Sequence, residues 1–245
     1  MPSESAPNSS PLLLTVIIPA FNEVRTIAEL LRQVLAAPYH KQVIVVDDGS
    51  SDGTIDALAP FREHPQVEVL RHDANRGKGA AIRTGLASAR GKYCIVQDAD
   101  LEYDPQDYRV LVDPLESGRA SVVYGSRYLR GRQERWRLFR YGVSALNLAV
   151  RILYGVRLTD EATCYKVLPT DLLKALELEC ERFEFCPEVT AKLCRLGLPI
   201  LEVAITYRSR TALEGKKIRW TDGVQALATL WRWRHWHGRW PRTST

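Results

Sequence analysis

Two short acidic motifs carry the clearest chemistry in this chain, and each follows a run of β-forming residues. The first is DDGSSDGT at 47–54, and the second places carboxylates at Asp98, Asp100 and Glu102. An apolar run bounded by Gly and Asp is typical of a buried strand that ends at a loop. In open α/β sheets, ligands bind beyond the carboxyl ends of the strands. We therefore expect both acidic motifs to face one crevice.

The spacing of the second motif predicts a metal site. Alternate residues of an extended segment face the same side, so Asp98, Asp100 and Glu102 would converge on one ion. Crowded carboxylates repel each other unless a cation lies among them. Oxygen ligands suit a hard divalent ion such as Mg²⁺ or Mn²⁺ that carries the phosphates of a substrate. The alternative is a solvated acidic loop, but three alternating carboxylates after a strand favour the metal.

Length and composition predict one large α/β domain. The chain has 245 residues, of which 45% are apolar and 26% charged, as in an ordinary globular protein. No stretch approaches the ~20 apolar residues that would span a bilayer. Residues 1–11 are expected to be a polar disordered tail without a secretory signal. Five cysteines without a Cys-x-x-Cys pair indicate reduced thiols in a cytosolic protein.

The net charge is +5, and its distribution is informative. Basic residues gather in 127–140 and 208–242, whereas the acidic motifs lie in the first half. An acidic, metal-binding floor with a basic rim suits a polyanionic substrate. Nucleic acid would also suit such a rim, so charge alone leaves the partner open.

The elements that must position these residues alternate up to residue 124. The patterns predict strands at 12–18, 42–46, 67–70, 92–97 and 121–124, and helices at 24–36, from 51 or 52, at 79–90 and at 105–116. Such alternation favours a mostly parallel sheet with helices on both faces. Beyond it we predict a helix at 141–154, a strand at 164–168, a helix at 187–196, a strand at 199–207 and a helical aromatic segment at 222–240. The expected organisation is a tail (1–11), one domain (12–221) and a C-terminal helical extension (222–245).

The motifs resemble a known family when they are read in order. VIIPAFNE, VVDDGSSDGT, NRGKGAAIRTGLASARG and QDADLEYDP resemble family 2 glycosyltransferases of the GT-A, Rossmann-like fold. The later GSRYLRG, LTDEATCYKV and YRSRTALEGKKIRW are similar to the branch that contains dolichol-phosphate mannose synthase and other polyprenyl-phosphate glycosyltransferases. The resemblance covers roughly residues 15–222.

The resemblance implies three groups of site residues. Mg²⁺ or Mn²⁺ would be held by Asp98, Asp100 and Glu102, the last at a position where family members often have Gln. The acceptor phosphate would meet Arg127, Arg140 and Ser144, which with Asp100 form the catalytic set. The nucleotide sugar would be bound by Pro19, Ala20, Asn22, Glu23, Asp47, Asp48, Lys78, Gln97 and Asp98, and by a loop with Arg208, Arg210, Lys216 and Lys217 that closes over the pyrophosphate.

The implied activity is inverting, metal-dependent transfer of a hexose from a nucleotide-diphosphate sugar (GDP-mannose or UDP-glucose type) to dolichyl or undecaprenyl phosphate. Arginine pairs bidentately with phosphate oxygens, which suits this acceptor. A phosphate with its second pKa near ~6 is already an anionic nucleophile, whereas a hydroxyl acceptor would require a base. We expect peripheral binding at the cytoplasmic face of a membrane and no nucleic-acid partner.

Three alternatives stay open. One is a family 2 enzyme with a hydroxyl acceptor. Another is a sugar nucleotidyltransferase, although such an enzyme would be expected to have a Gly-rich basic loop where this chain has PAFNE. The third is a nucleic-acid-binding module built on the tail WRWRHWHGRW, whose aromatics could stack on bases. That tail does not explain two carboxylate motifs.

Several residues have plainer interpretations. Asp52 is expected to cap a helix. The Gly-containing loop at 75–79 could cradle phosphate or only form a turn. Asp160 and Glu161 either line the sugar pocket or begin a loop. In the tail, Trp233, Trp236 and Trp240 share a helical face that excludes Trp231, and that face could bind a membrane or pack onto the domain.

Overall fold

A computed structural model describes residues 11–130, 137–209 and 220–240. Its strands are β1 (Leu14–Ala20), β2 (Lys41–Asp47), β3 (Val67–Arg71), β4 (Tyr93–Val96), β5 (Val123–Ser126), β6 (Lys166–Pro169) and β7 (Leu201–Ala204). Its α-helices are α1 (Ile27–Ala36), α2 (Thr54–Ala57), α3 (Lys78–Ala87), α4 (Tyr108–Glu116), α5 (Arg137–Tyr154), α6 (Thr170–Ala175), α7 (Phe185–Arg195) and α8 (Trp220–Arg232). The strands form one sheet, as predicted.

The sheet order is β3-β2-β1-β4-β6-β5-β7. All neighbouring strands run parallel except β6, which is antiparallel to both β4 and β5. The prediction of a mostly parallel sheet is therefore confirmed. The carboxyl ends of β1, β2, β4, β5 and β7 meet at one edge, and the segment that leads into β6 arrives at the same edge.

The first strands are buried along their whole length. Every residue of β2 and all but one of β1 are buried, which is the pattern of a sheet covered on both faces. Helix α3 packs on these two strands, and Gly85 permits its close approach. A Cβ atom at Gly85 would lie 2.7 Å from Ile17 Cγ2, so a larger residue there would push the helix off the sheet.

Several predicted boundaries were wrong. Strand β1 extends to Ala20, so Pro19 and Ala20 belong to the strand and not to the following loop. Helix α1 begins at Ile27 and not near residue 24; residues 24–26 form a turn in which the Val24 N–H donates to Asp52 Oδ2 at 3.1 Å. Strand β7 covers only four residues of the predicted 199–207. Helix α6 was not predicted, because six residues are too few to reveal a helical period.

The C-terminal segment packs on the domain. Helix α8 contacts α5 and α7 and ends at Arg232, followed by a 3₁₀ turn over Trp233–His235. The helix predicted to reach Trp240 is therefore too long, since Trp236 has an extended ψ of 138°. Trp233, Trp236 and Trp240 pack against the core, and Lys192 Nζ lies 3.9 Å from the ring centre of Trp233. Within the described residues, no helix is long and apolar enough to cross a bilayer.

Candidate active site

The first acidic motif begins where β2 ends, and Asp48 organises the loop beside it. Its Oδ1 lies 2.6 Å from His72 Nδ1 and accepts the N–H of Arg76 at 2.9 Å. Its Oδ2 accepts the N–H of Gly77 at 2.8 Å. Asp48 is buried, so its carboxylate holds residues 72–77 against the end of β2. The adjacent Asp47 is also buried, and its Oδ2 lies 3.3 Å from Arg71 Nε.

Several N–H groups of the loop at 75–79 and of the residue after it are hydrogen-bonded to other parts of the protein. Gly79 donates to the Arg182 carbonyl at 2.8 Å, and Ala80 donates to the Glu181 carbonyl at 2.9 Å. Gly77 has φ 97°, and a Cβ there would lie 2.4 Å from the Glu181 oxygen. These contacts favour turn formation over a phosphate cradle. The loop's contribution to the site is the side chain of Lys78.

Lys78 joins the two acidic motifs. Its Nζ lies 2.5 Å from Asp98 Oδ1 and 3.2 Å from Cys164 Sγ. Burial alone would lower the pKa of Lys78, but the Asp98 carboxylate outweighs it and holds that pKa well above its usual range. Because Lys78 directly follows the loop held by Asp48, the two motifs meet at one edge of the sheet, as predicted.

The second motif is not extended. Residues 99–101 form a turn and Leu101 has φ 61°, so the alternation expected from the sequence is wrong. The Glu102 N–H instead donates to Asp100 Oδ1 at 3.2 Å, and Tyr207 donates to Glu102 Oε2 at 2.6 Å. The left-handed conformation of a leucine is uncommon, and the tertiary contacts around it must stabilise it.

The oxygen donors of this loop fit a divalent cation. Within the described ranges, no group of three or more Asp, Glu, His or Cys side chains is gathered in a way that could enclose a metal. Mg²⁺, however, is usually bound by one or two carboxylates together with substrate phosphates and water. Asp98 and Asp100 supply such a pair. The assignment of Asp98, Asp100 and Glu102 to a metal stays a prediction.

Gln97 supports this loop from below. It is fully buried, and its Oε1 accepts the hydroxyls of Tyr108 at 2.8 Å and Tyr165 at 2.5 Å. Its Nε2 donates to the Asp98 carbonyl at 3.1 Å. These bonds orient the backbone at Asp98, and they place Gln97, which was predicted to bind the nucleotide sugar, beneath the loop.

The segment after β1 is tied to the first motif. The Asn22 N–H donates to Ser50 Oγ at 2.9 Å, and the Ser51 N–H donates to Asn22 Oδ1 at 2.9 Å. The Glu23 N–H donates to Thr54 Oγ1 at 2.8 Å. The structure thus brings together Pro19, Ala20, Asn22, Glu23, Asp47 and Asp48 at the ends of β1 and β2.

The N-cap of α2 is Gly53, which has φ 91° and makes no side-chain capping hydrogen bond, so the prediction that Asp52 caps the helix is wrong. Asp52 instead ties the residues before α2 to their surroundings. Its Oδ1 accepts the N–H of Thr54 at 3.0 Å, and that residue begins the helix. Its Oδ2 accepts the N–H of Val24. One carboxylate therefore joins the start of α2 to the segment that leads into α1.

Arg208 lies beside the second motif. Its N–H donates to the Glu102 carbonyl at 2.8 Å, and its side chain is exposed. The other predicted cations of the closing loop, Arg210, Lys216 and Lys217, lie outside the described residues. Of that predicted group, the structure therefore positions Arg208 alone.

Arg127 is the buried cation at the end of β5. Its Nε and Nη2 each donate to Asp160 at 2.7 Å, and its N–H donates to the same carboxylate at 3.0 Å. Both side chains are almost fully buried. Burial lowers the pKa of Arg127, but Asp160 outweighs it and keeps that pKa well above its usual range. The Arg127 guanidinium is therefore fixed in one orientation by Asp160.

The loop that carries Asp160 is held from two sides. Glu202 on β7 accepts the N–H groups of Thr159 at 2.8 Å and Asp160 at 3.0 Å. Asn147 on α5 donates to the Thr159 carbonyl at 2.8 Å and accepts the Glu161 N–H at 2.9 Å. Sequence reasoning identified neither Glu202 nor Asn147, since nothing in their local patterns distinguishes them.

Helix α5 also carries Arg140, which is half-buried, and Ser144, which is exposed. These two predicted acceptor residues and Asn147 are spaced i, i+4 and i+7, so they lie along one face of the helix. The Asn147 contacts therefore attach the face with Arg140 and Ser144 to the loop that pairs with Arg127.

Glu161 is a buried carboxyl beside this loop. It is fully buried, and neither of its oxygens has a hydrogen-bond partner among the described residues. Burial raises the pKa of Glu161, and the nearby Lys166 ammonium opposes that shift only in part. Lys166 itself donates to the Glu161 carbonyl at 2.7 Å and to Thr190 Oγ1 at 3.2 Å.

Comparison with known proteins identifies the family of this chain. The family model "Glycosyl transferase family 2" matches residues 15–168. Undecaprenyl-phosphate mannosyltransferase of Micrococcus luteus is 33% identical over 89% of this chain and 92% of its own. Polyprenol monophosphomannose synthase of Mycolicibacterium smegmatis is 30% identical over 83% of this chain and 82% of its own.

Solved structures show the same fold. Glucosyl-3-phosphoglycerate synthase from Mycobacterium tuberculosis in complex with UDP matches with a TM-score of 0.71 and 22% identity, over 91% of this chain and 80% of that one. The same enzyme in complex with Mn²⁺, UDP and phosphoglyceric acid matches with a TM-score of 0.70 and 23% identity, over 91% and 79%. This level of identity establishes the fold alone.

The chain belongs to glycosyl transferase family 2 and has the GT-A fold. It is therefore an enzyme of the glycosyltransferase class. Membership of this family favours a glycosyltransferase over the alternative of a sugar nucleotidyltransferase.

Proposed function

We propose that this glycosyltransferase moves a hexose from a nucleotide-diphosphate sugar, of the GDP-mannose or UDP-glucose type, to a polyprenyl phosphate. The observation that carries the proposal is the 33% identity with an undecaprenyl-phosphate mannosyltransferase over nearly the whole of both chains. The likeness extends past the family model, which ends at residue 168, into the half that contains α7, β7 and α8. Dolichyl and undecaprenyl phosphates are both acceptors of this class.

The donor would occupy the edge where β1, β2 and β4 end. The segment 19–23 and Asp47 would contact the nucleoside, and Lys78 would contact the diphosphate beside Asp98. Asp98 and Asp100, with Glu102 nearby, would hold Mg²⁺ or Mn²⁺. When bound, the cation would neutralise the charge that develops on the departing diphosphate. Arg208, which is fixed to Glu102 through its backbone, would add a positive charge on the same side.

The acceptor would occupy the neighbouring edge, where β5 ends and α5 begins. Arg127 is oriented by Asp160, and α5 presents Arg140 and Ser144 on one face. Guanidinium groups pair with phosphate oxygens at short distance and are always charged. These three residues would align one phosphate oxygen with the anomeric carbon of the donor.

The reaction would be a single displacement with inversion. A lone pair of the acceptor phosphate oxygen forms the new bond to the anomeric carbon, and the bond from that carbon to the nucleoside diphosphate breaks. The leaving group takes the electron pair, so charge balances without an added base. An acceptor phosphate is anionic at neutral pH, since its second pKa is near ~6. Positioning and charge neutralisation would then supply the catalysis.

We place the reaction at the cytoplasmic face of a membrane. A polyprenyl chain stays in the bilayer, so the enzyme must meet its acceptor at the membrane surface. The five cysteines are all free thiols, which suits a reducing compartment.

A transfer assay tests the proposal. Purified full-length protein would be given labelled nucleotide sugars, a short water-soluble prenyl phosphate, and Mg²⁺, Mn²⁺ or excess chelator. We expect a prenyl-phosphate hexose of inverted anomeric configuration, formed only with metal. Asp100→Ala should reduce turnover by roughly a hundredfold or more, whereas Asp171→Ala, an exposed carboxylate on α6, should leave it unchanged.

Two outcomes would overturn parts of this assignment. Full turnover by Asp100→Ala or in excess chelator would remove the metal. Transfer to hydroxyl acceptors with none to prenyl phosphate would replace the proposed acceptor with the other family 2 alternative.

A further inference from the structure

Helix α5 has an exposed apolar stripe that the proposed chemistry does not use. Tyr141, Leu148 and Ile152 are between 54 and 73% exposed, and their spacing of seven and four residues places them on one face. The face that packs on the domain is a different one and contains Val143, Leu146 and Val150, all buried. The stripe therefore has no packing role within the described chain.

Helix α8 repeats this arrangement. Val224, Leu227 and Trp231 are exposed at a spacing of three and four residues, and Ala226 and Leu230 on the opposite side are buried. Helices α5 and α8 pack against each other, and Tyr154 on α5 donates to the Leu230 carbonyl at 2.5 Å. Two neighbouring helices thus each expose a row of large apolar side chains, which is unusual for the surface of a monomeric soluble protein.

The two helices themselves carry mostly positive charge, and the acidic side chains that contact α8, Glu179 and Glu184, lie at its Arg232 and Gln225. Helix α5 contains three arginines and no acidic residue, and the only acidic residue of α8 is Asp222. Arg151 on α5 is exposed, and the Arg234 guanidinium lies 3.8 Å from the ring centre of Trp231. Apolar side chains flanked by arginines match a surface with an anionic headgroup layer above hydrocarbon.

The polar side of α5 lies next to its apolar row. At 100° per residue, Arg140, Ser144 and Arg151 fall within about a quarter turn of Tyr141, Leu148 and Ile152. The first two are the residues that would bind the acceptor phosphate. A lipid that is held in the headgroup layer would therefore present its phosphate at the level of Arg140 and Ser144 when the apolar row enters the bilayer.

We propose that the exposed rows of α5 and α8 form a membrane-docking face for anionic bilayers. The face is defined by Tyr141, Leu148, Ile152, Val224, Leu227 and Trp231. This inference rests on the proposed function, because a lipid-borne acceptor gives the face its purpose. It differs from the tail hypothesis, since Trp233, Trp236 and Trp240 pack against the core and Trp231 alone of the tail tryptophans belongs to the face.

Flotation with vesicles tests the face independently of catalysis. The full chain would be mixed with vesicles of phosphatidylcholine alone and of equimolar phosphatidylcholine and phosphatidylglycerol. Binding is expected to the anionic vesicles and to decrease with added salt. Leu148→Gln/Ile152→Gln should weaken vesicle partitioning by about tenfold or more. The control Leu201→Gln replaces an apolar residue of β7 that is 38% exposed and should not change binding.

Activity gives a second readout. The double variant should lose turnover with a long polyprenyl phosphate in vesicles and keep turnover with a short soluble prenyl phosphate. If no prenyl phosphate is a substrate for any form of the chain, the proposed function fails, while flotation still tests the face. Unchanged flotation of a folded double variant would overturn the docking proposal. The docking proposal would also be overturned if the double variant converted a dimer to a monomer in sedimentation experiments and still bound vesicles.

Discussion

At the scale of single residues, Glu161 is the least satisfied group in the site. A buried carboxyl without hydrogen-bond partners is unfavourable in its charged form, and burial raises the pKa of Glu161 accordingly. Lys166 opposes this rise in pKa most strongly, followed by the Thr190 hydroxyl and, more weakly, by Arg127, whereas Asp160 adds to it. The protonated form of Glu161 is therefore favoured by folding.

This carboxyl predicts how stability depends on pH. The folded protein binds more protons than the unfolded chain above the ordinary Glu pKa of about 4.3, so the free energy of unfolding falls as pH rises from there. Glu161→Gln should remove that fall, which is at most about 1.4 kcal/mol per pH unit. Thermal melts between pH about 5 and about 8 would measure it, and the variant's curve should be the flatter.

Glu188→Gln is the matched control for this prediction. Glu188 is equally buried, but its carboxylate accepts the N–H groups of Glu179 and Cys180 and pairs with Lys192 Nζ at 2.6 Å. Its replacement should lower the melting temperature throughout the range, because Lys192 loses a charged partner. Parallel curves for wild type and Glu161→Gln would show that Glu161 ionises as it does in water.

The sequence pointed to Lys78, Asp98 and Arg127 as site residues but did not reveal the partners that hold them. Asp52 was predicted as an N-cap from its local sequence, but Gly53 occupies that position in a left-handed conformation. The pairs Lys78–Asp98 and Arg127–Asp160 join different loops, so no spacing rule reveals them. The turn at Leu101 was missed for a similar reason, since contacts from Tyr207 and Arg208 surround that segment.

At the scale of elements, α5 and the loop at 159–161 act as one unit. The Asn147 side chain donates to the Thr159 carbonyl and accepts the Glu161 N–H, and these two hydrogen bonds join the helix to the loop. We regard Asn147 as a positioning residue, because it touches neither proposed substrate. It sets the placement of Arg140 and Ser144 relative to Arg127.

Asn147→Ala should therefore affect the acceptor more than the donor. Loss of two hydrogen bonds is expected to raise the KM for a soluble prenyl phosphate by roughly tenfold, with the donor KM nearly unchanged. Steady-state kinetics with each substrate varied in turn would measure this split. Ala145→Ser, at an exposed position of α5, should change neither constant. Equal increases in both constants would mean that Asn147 stabilises the whole site and not the acceptor half.

Strands were easier to predict than helices in this chain. The strands β1 and β2 are buried on both faces, so their apolar runs are continuous and visible in sequence. Helix ends depend on contacts outside the helix. Residues 24–26 form a turn before α1, and the Val24 N–H in that turn is bound by Asp52. The tail leaves the helical path at Trp236, whose side chain packs against the core.

At the scale of the whole molecule, we expect the tail tryptophans to have two different roles, packing on the core and binding a membrane. Trp233 packs on the core with its ring over Lys192 Nζ, while Trp231, two residues earlier, is 57% exposed. Trp233→Ala should lower the free energy of unfolding by about 2 kcal/mol, less than the loss for a fully buried Trp. Trp231→Ala should leave stability nearly unchanged and weaken binding to anionic vesicles. Chemical denaturation and flotation of both variants would separate the two roles.

Either of two outcomes would contradict these separate roles of Trp231 and Trp233. If Trp231→Ala destabilised the fold as much as Trp233→Ala, the exposed row of α8 would be part of the core. If Trp233→Ala alone abolished vesicle binding at unchanged stability, the membrane contact would lie on the packed side of the tail.

The reversed direction of β6 has a consequence for how such enzymes can diversify. Because β6 runs against β4 and β5, the chain leaves the end of β5 and re-enters the sheet at the same edge. The whole excursion between them, with α5 and the loop at 159–161, starts and finishes at the edge where we propose that the donor binds. Lengthening or replacing such an excursion adds only slowly to the entropy of closing it. A new acceptor can thus be accommodated by exchanging one continuous insert, while the nucleotide half of the sheet keeps its register.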